Sequence, residues 1–447
     1  MNQQSERISY LPTEGISYDP EEARYWDPAA LDQELVRAFE ICHGCRMCFK
    51  YCDSFPKLFR YVDDVHEGDV RKLSETERQD VVDSCFQCKL CEVQCPYTPR
   101  DGHEFQLDFP KLIHRYKAQK HERHGATFRE KVLGDPDGTA SVARMSLGLA
   151  NTMNRVKAHR WFMEKALGIH RDKLLPDFAS VPFDKWAAKE GHVATSTNNE
   201  AVLFQTCYVQ HNEPNIGRDT VEVFHRNGVG LKCVSGLVCC GMPAWEHGDL
   251  ESLRKQANNN LDKLMPHVNA KAAVVVLNPT CAMMMRREYP ELLAGHDRER
   301  AKELAGAIRD PGEFLWNIRN EERFQATVLS KPNKPVSYHA PCHLRAQAVG
   351  FKSRDLMRKL FGENPKTTME CCGHDGTFAM TVEGFEPSAA IGKRAFDGMT
   401  EAGAEVWATD CPLAALQFQQ HAGKKPKHPM SILAQAYRGE PFGDGGK

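Results

Sequence analysis

Apolar positions recur along this chain with two different periods. Leu31, Leu35, Ala38, Phe39 and Cys42 follow one another at helical spacing. Asp27-Pro28 just ahead reads as an N-cap followed by proline at the first helical position. Ser74 and Glu77 form a capping-box signature before Val81 and Val82, predicting another helix. Beyond residue 200 the runs AVLFQ, AVVVLN, VSYHA and EVWAT are short and rich in β-branched and aromatic residues, predicting strands. Longer helical stretches follow them, such as 281–294 and 344–361. The region from about 115 to 195 is polar and basic. Its segments KAQKHERHGATFREKV and NRVKAHRWFMEKAL read as solvated helices with some apolar face, a spacer or, more sharply, a basic docking surface for a partner or anionic lipid headgroups. TSTNN at 195–199 reads as a linker. No run approaches the roughly 20 apolar residues of a membrane-spanning helix; the most apolar, AAVVVL at 272–277, suits a buried strand.

Composition changes this picture little. Lysine plus arginine number 58 against 60 acidic residues in 447, a formal charge of −2, which argues against a general electrostatic grip on nucleic acid. The start, MNQQSERISYLPTEG, has no basic n-region and no apolar h-region, so a cytoplasmic protein is expected. Cysteine changes the picture a great deal. There are 17, and a reducing compartment argues against disulfides and for metal or redox chemistry. Eight lie in the first hundred residues, none between 96 and 206, and nine after that.

The first eight form two copies of C-x2-C-x2-C-x3-C, CHGCRMCFKYC from residue 42 and CFQCKLCEVQC from residue 85. Three thiolates at that spacing can wrap three corners of one cubane, while the fourth points away and, in two-cluster ferredoxins, ligates the other cluster. The expected sets are therefore Cys42, Cys45 and Cys48 with Cys95, and Cys85, Cys88 and Cys91 with Cys52, each holding a [4Fe-4S] cluster. Cys95-Pro96 keeps the bacterial ending, whereas Cys52 is followed by Asp53. A pair of four-cysteine zinc knots is the alternative. The helical approaches to both motifs predict an α-helical ferredoxin domain.

The remaining cysteines fall into an internal repeat. Cys207, the pair Cys239 and Cys240, and Cys281 are matched by Cys342, the pair Cys371 and Cys372, and Cys411, at offsets of 135, 132 and 130 residues. Each unit reads as α/β with cysteines at the carboxyl ends of strands, where open sheets place their ligands. Adjacent cysteines can reach one site only from a tight turn, and Gly241 and Gly373 supply the backbone freedom. The chain divides into an N-terminal extension (1–24), an α-helical two-cluster ferredoxin domain (25–115), a helical connector (116–198) and two α/β cysteine-rich repeats with open, mostly parallel sheets (199–330 and 331–440).

The duplicated C…CCG…C pattern resembles the cysteine-rich (CCG) domain found in heterodisulfide reductases. With the ferredoxin domain ahead of it, the whole resembles the iron-sulfur subunit family of anaerobic glycerol-3-phosphate dehydrogenases. The matching stretches are CPYTPRDGHEFQLDFPKL, NPTCAMMMRREYP, HAPCH, CCGHDGTF and ATDCP. The resemblance implies an electron-transfer subunit that takes electrons from a flavoprotein dehydrogenase and passes them toward quinone, held at most peripherally on the inner face of a membrane. Some relatives work beside rubrerythrin-like non-haem iron proteins. The heterodisulfide reductase domain ends each repeat in C-x-x-C, giving five thiolates for a non-cubane cluster. Here Asn278 and Ala414 stand where one cysteine of each pair would be. Four thiolates remain per site, which suits [4Fe-4S] or zinc and argues against disulfide-cleaving catalysis, the alternative function.

Other residues read as structural. Cys233 has no counterpart in the second repeat and is expected to be a buried thiol. His339 and His343 flank Cys342 and are expected to be hydrogen-bonded rather than ligands. His43 is expected to donate near sulfur, and Met283, Met284 and Met285 to pack a helix. No G-x-G-x-x-G after a strand, Walker A or H-E-x-x-H motif occurs, so flavin or nicotinamide chemistry is assigned to a partner.

Overall fold

A computed structural model describes residues 7–374 and 376–442. The first six residues of the N-terminal extension, and Asp375 within the CCGHDGT turn, lie outside the described residues. The chain forms two compact units. One comprises the chain up to Ala126 together with Ala244–Leu250; the other comprises Thr127–Pro243 and everything from Glu251 onward.

The first unit is helical. The helix Pro28–Cys45 starts as its sequence predicts, with the Asp27 side chain accepting from the Ala29 N–H and proline at the first position. It carries Cys42 and Cys45 on its last turns and stops at Arg46, which is left-handed. The helix Glu75–Asp83 opens on the complete Ser74/Glu77 capping box and ends just before Cys85. Phe55 packs against both Phe59 and Phe109, and Phe39 also meets Phe109, joining the helices Pro28–Cys45, Ser54–Arg60 and Phe109–His124. Two buried arginines tie the N-terminal strap to this bundle. Arg37 bonds Glu34 and the Tyr10 and Phe105 carbonyls; Arg115 bonds the carbonyls of Gly15, Ser17, Arg24 and Tyr25. Each guanidinium spreads its donors over several acceptors, which offsets the cost of burying the charge.

The second unit holds both repeats. Strands β1 (Ala201–Phe204), β2 (Lys232–Cys233), β3 (Ala273–Val276) and β4 (Ile308–Arg309) form one sheet in the order β2-β1-β3-β4. Strands β5 (Ser337–His339), β6 (Lys366–Thr368) and β7 (Trp407–Thr409) form another in the order β6-β5-β7. Every pairing between these strands is parallel. The two sheets share one core. Leu203 and Val275 from the first, and Tyr338 and Ala408 from the second, belong to a single buried cluster with Phe224, Leu356 and Leu433. A parallel sheet covered on both faces needs such continuous apolar strands.

Of the two helical expectations after β3 and β5, the first holds: Pro279–Met283, a π-helical turn Met284–Glu288 and Tyr289–Leu292 run on without a break. The second breaks into Cys342–Ala346 and Lys352–Phe361, because Ala348 and Gly350 both take positive φ between them. Among the described residues no helix is long and apolar enough to cross a membrane.

The last helix, Pro429–Arg438, is capped by the His428 side chain, which accepts from the Met430 N–H. Burial pushes His428 from the usual histidine value down to about 4. The neutral ring therefore adds stability that is present above about pH 6.5 and lost as pH falls toward the folded value. Full loss amounts to about 3 kcal/mol at ~1.4 kcal/mol per pK unit. His428→Asn keeps a capping acceptor without the titration. Urea unfolding midpoints at pH 7, 5 and 4 are expected to fall more steeply in the unsubstituted protein than in this variant.

Candidate functional site

A side chain leaves a regular helix or strand in a direction fixed by the backbone, so four sulfurs converge only where elements end. Both ferredoxin motifs use the same device. Arg46 follows Cys45 and Lys89 follows Cys88, and both are left-handed, with φ of 54° and 59°. The reversal re-aims the chain before the third cysteine of each motif. Cys52 and Cys95 lie beyond, with Cys52 next to backbone N–H groups of Ser54 and Phe55 and Cys95 next to that of Tyr97.

Cys42, Cys45, Cys48 and Cys95 line one cavity, together with Ile41, Phe55, Pro96, Tyr97 and Leu107. Burial, and then the neighbouring thiolates Cys48, Cys95 and Cys45, push Cys42 well above the usual thiol range. Burial first and Cys95 second push Cys48 up to about 12. Cys52 is raised by burial and by Cys85, and Cys91 by burial and by Cys48, Cys85 and Cys52. Cys85, Cys88 and Cys91 are all buried. The two sets abut, since the Cys48 thiol lies 3.8 Å from the Cys91 carbonyl. Among the described residues no three His, Cys, Asp or Glu side chains close on a point as one bare ion requires. The first ferredoxin set is instead an open ring of sulfur around an apolar space, a donor set that fits a cluster larger than one ion.

In the first repeat the four cysteines are linked in succession. Cys207, Cys239, Cys240 and Cys281 form a hydrogen-bonded chain of sulfurs, each linked to the next. Cys239, bonded by the thiols of Cys207 and Cys240 and approached by the Gly241 N–H, is held below the usual thiol range; Cys207 and Cys240 are raised by the same bonds and by burial. Tyr289 donates to the Cys240 carbonyl (2.8 Å), and Asn260 to that of Cys239 (3.1 Å).

The second repeat places its cysteines at matching points. Cys342 opens the helix after β5, and Cys411 caps the helix Pro412–Ala422 after β7, its sulfur accepting from the Ala414 N–H at 3.4 Å. Cys371 accepts from the Gly373 N–H at 3.3 Å, and Cys372 is buried beside it. Four cysteines, Cys207, Cys281, Cys342 and Cys411, thus lie at or near helix N-termini.

Asn278, which replaces a cysteine of the five-thiolate pattern, caps the helix Pro279–Met283 through its side-chain oxygen, 2.9 Å from the Thr280 N–H. Cys233 sits on β2 in the shared core, as its lack of a counterpart implied. His339 contacts Thr409 Oγ1 and the Glu370 carbonyl, both at 3.1 Å, and His343 contacts Thr280 Oγ1 at 2.9 Å, so both are structural histidines. Met283, Met284 and Met285 are fully buried. His43 departs from expectation: its Nε2 meets Asp63 at 2.7 Å and its ring lies edge-on to Phe59. The nearby carboxylate and Arg46 guanidinium outcompete sulfur for that ring.

Several site residues gave no signal in the sequence. Tyr97 hydrogen-bonds Cys45. Asp137 accepts from the Cys239 N–H at 2.8 Å. Lys173, buried, donates to Gln417, whose amide nitrogen reaches the Cys372 carbonyl. Burial first, and the Lys173 charge second, press His374 down to about 3, so it stays neutral beside that cation. Asp137 and Lys173 both come from the connector, far in sequence from the cysteines they approach.

Gly373 has φ of +72°, and a Cβ there would lie 2.1 Å from the Ser388 carbonyl oxygen, a fixed backbone atom. Gly373→Ala is expected to destabilise the second unit by at least about 1–3 kcal/mol, the usual strain of a disallowed backbone. Thermal unfolding of the variant checks this, with Gly403→Ala as the control: also left-handed, at φ +62°, but with no atom closer than 4.0 Å.

Comparison with known proteins gives concordant matches. A 4Fe-4S dicluster domain profile matches residues 38–125, and a cysteine-rich domain profile matches twice, at 201–286 and 336–419. The chain is similar to the C-subunit of anaerobic glycerol-3-phosphate dehydrogenase from Escherichia coli (strain K12), 29% identical over 328 residues, 73% of this chain and 81% of that protein. It is similar to lactate utilization protein A of Shouchella clausii (strain KSM-K16), 32% identical over 187 residues, 40% of this chain and 74% of that protein. Lactate utilization protein A of Halalkalibacterium halodurans is 30% identical over 186 residues, 40% of this chain and 72% of that protein.

Proposed function

Because the chain belongs to the family of iron-sulfur proteins that join a 4Fe-4S dicluster domain to duplicated cysteine-rich domains, we propose that it is the electron-relay subunit of a flavoprotein dehydrogenase. In this reading Cys42, Cys45, Cys48 and Cys95 hold one [4Fe-4S] cluster, and Cys52, Cys85, Cys88 and Cys91 a second. The sets Cys207, Cys239, Cys240, Cys281 and Cys342, Cys371, Cys372, Cys411 hold two further iron-sulfur clusters. The observation that carries it is the cavity lined by three cysteines of the first motif and the last cysteine of the second. Such clusters supply one-electron transfer, with potentials set by net charge, burial and hydrogen bonds to sulfur. The residues' part is to hold the sulfurs, exclude water and fix the surrounding charges. The donor is a dehydrogenase of the glycerol-3-phosphate type, and the acceptor is quinone or another redox protein. A thiol-disulfide reductase gains less support, since Asn278 serves as a helix cap and Ala414 offers no sulfur.

The relay reading includes peripheral contact with an anionic membrane surface. Met145, Leu147, Leu149, Trp161 and Phe162 are exposed along the connector, Leu147 almost completely at 96%. Arg155, Lys157 and Lys165 are exposed in the same stretch. Large apolar side chains interleaved with cations suit the boundary between headgroups and acyl chains.

Protein purified without oxygen is expected to carry about sixteen irons if all four sets hold four-iron clusters. Cys95→Ser is expected to lose about four of them and one EPR component. Colourless, iron-free protein that resists reconstitution would sink the relay reading, and zinc in the repeats would confine it to the ferredoxin domain. Co-purification with a flavoprotein whose substrate reduces the clusters tests the partner. Sedimentation with vesicles containing anionic phospholipid tests the surface. There, replacing Trp161 and Phe162 together by Ala is expected to weaken binding roughly tenfold or more, from the apolar area lost.

A further inference from the structure

The two cysteine-rich repeats are copies of one unit, yet the connector gives them opposite charges. At the first site Asp137, on the first turn of the helix Pro136–Met145, accepts the Cys239 N–H through Oδ2 at 2.8 Å. Its Oδ1 lies 2.8 Å from His211 Nε2, and Arg144 donates to His211 Nδ1 at 2.7 Å. That donation leaves Nδ1 the acceptor and Nε2–H the donor, so the histidine is neutral and Asp137 remains an acceptor-only carboxylate. The Arg144 cation stands on the far side of the ring.

At the second site the charge is positive. Lys173 is 4% exposed, and its Nζ donates to Gln417 Oε1. The same amide donates to the Cys372 carbonyl at 3.4 Å and to Ser388 Oγ at 2.9 Å, and the Ser388 hydroxyl donates to the Gly373 carbonyl at 2.7 Å. The segment bearing Lys173 is clipped in place. Leu174 N–H donates to Gln420 Oε1 at 3.1 Å, Gln420 donates to the Asp172 carbonyl at 2.7 Å, and His170 N–H donates to the Met380 carbonyl at 2.9 Å. Burial lowers the Lys173 ammonium to about 8, so below that pH it carries a charge poorly screened by water.

We propose that Asp137 and Lys173 set the order of reduction potentials of the two repeats, with the site of Cys342, Cys371, Cys372 and Cys411 the higher. The proposal rests on the reading that both repeats hold iron-sulfur clusters. Reduction adds one negative charge to a site. A fixed cation favours the reduced form and a fixed anion disfavours it, and net charge is among the quantities that set such potentials. One electron lost by the first site is one gained by the second, with no proton transferred, so an electron shared between them rests at the second. Lys173 is the stronger lever, because the Asp137 side chain is 32% exposed and has Arg144 behind His211. The duplicated geometry supplies two similar sites, and the connector makes them different.

The test is a potentiometric titration of full-length, anaerobically purified protein followed by EPR, with Cys240→Ser and Cys372→Ser assigning the signal of each repeat. The second-repeat signal is expected to be reduced first. Lys173→Met is expected to shift its reduction constant downward by about tenfold or more, ~59 mV for one electron. Lys173→Arg keeps the charge and is expected to retain most of the potential. Asp137→Asn still accepts the Cys239 N–H and is expected to raise the first-repeat signal by a smaller factor. The reverse order in the unsubstituted protein overturns the proposal whatever the variants do. An unmoved potential in Lys173→Met at full iron content also overturns it. Where Lys173→Met loses iron, Asp137→Asn decides, and an unmoved first-repeat signal counts against the proposal. Absence of iron from both repeats overturns the relay reading in the repeats instead.

Discussion

Bringing four sulfurs to one place is the constraint from which the rest of this architecture follows. Regular secondary structure satisfies its own backbone but aims successive side chains apart. Every cysteine set here is therefore assembled where an element stops or turns. Arg46 and Lys89 reverse the chain inside the two ferredoxin motifs, and Gly241 and Gly373 do so after the two cysteine pairs. Strand ends and helix starts supply the other thiols. The short strands, two to four residues long, deliver cysteines to one edge and need do little else. Residues of both sheets are buried in the one core the two repeats share.

Duplication explains the similarity of the two repeat sites, and the connector explains their difference. It contains no cysteine, yet it places a carboxylate against one cysteine pair and an ammonium next to the other. Both contacts run through backbone groups or an amide rather than through sulfur itself. Such outer partners orient ligands and tune a centre without competing for it.

Much of the site was legible because cysteine spacing carries geometry. The spacing C-x2-C-x2-C-x3-C, taken with the crossing of two-cluster ferredoxins, suggests grouping Cys95 with Cys42, Cys45 and Cys48, and these four residues line one cavity. Capping signals at Asp27 and Ser74 worked for the same reason: they are local and have few alternatives. What could not be read was set by tertiary packing. Nothing in GDPDG marks Asp137 as the partner of a residue a hundred positions away, and HRDKL looks like an exposed basic turn until Lys173 is seen under the helix Pro412–Ala422. The continuous helix expected after β5 failed where the chain must turn. At Ala348 a non-glycine residue in the left-handed region gave no warning. His43 went to a carboxylate that only the fold brings near.

Asn278 has a bearing on how sites of this type diversify. Its oxygen closes the first turn of the helix that carries Cys281. Asn278→Cys would exchange an oxygen cap for a sulfur one, as Cys411 already provides at the start of the helix Pro412–Ala422. Four- and five-sulfur versions of the fold can therefore interchange at this position without leaving the helix start uncapped.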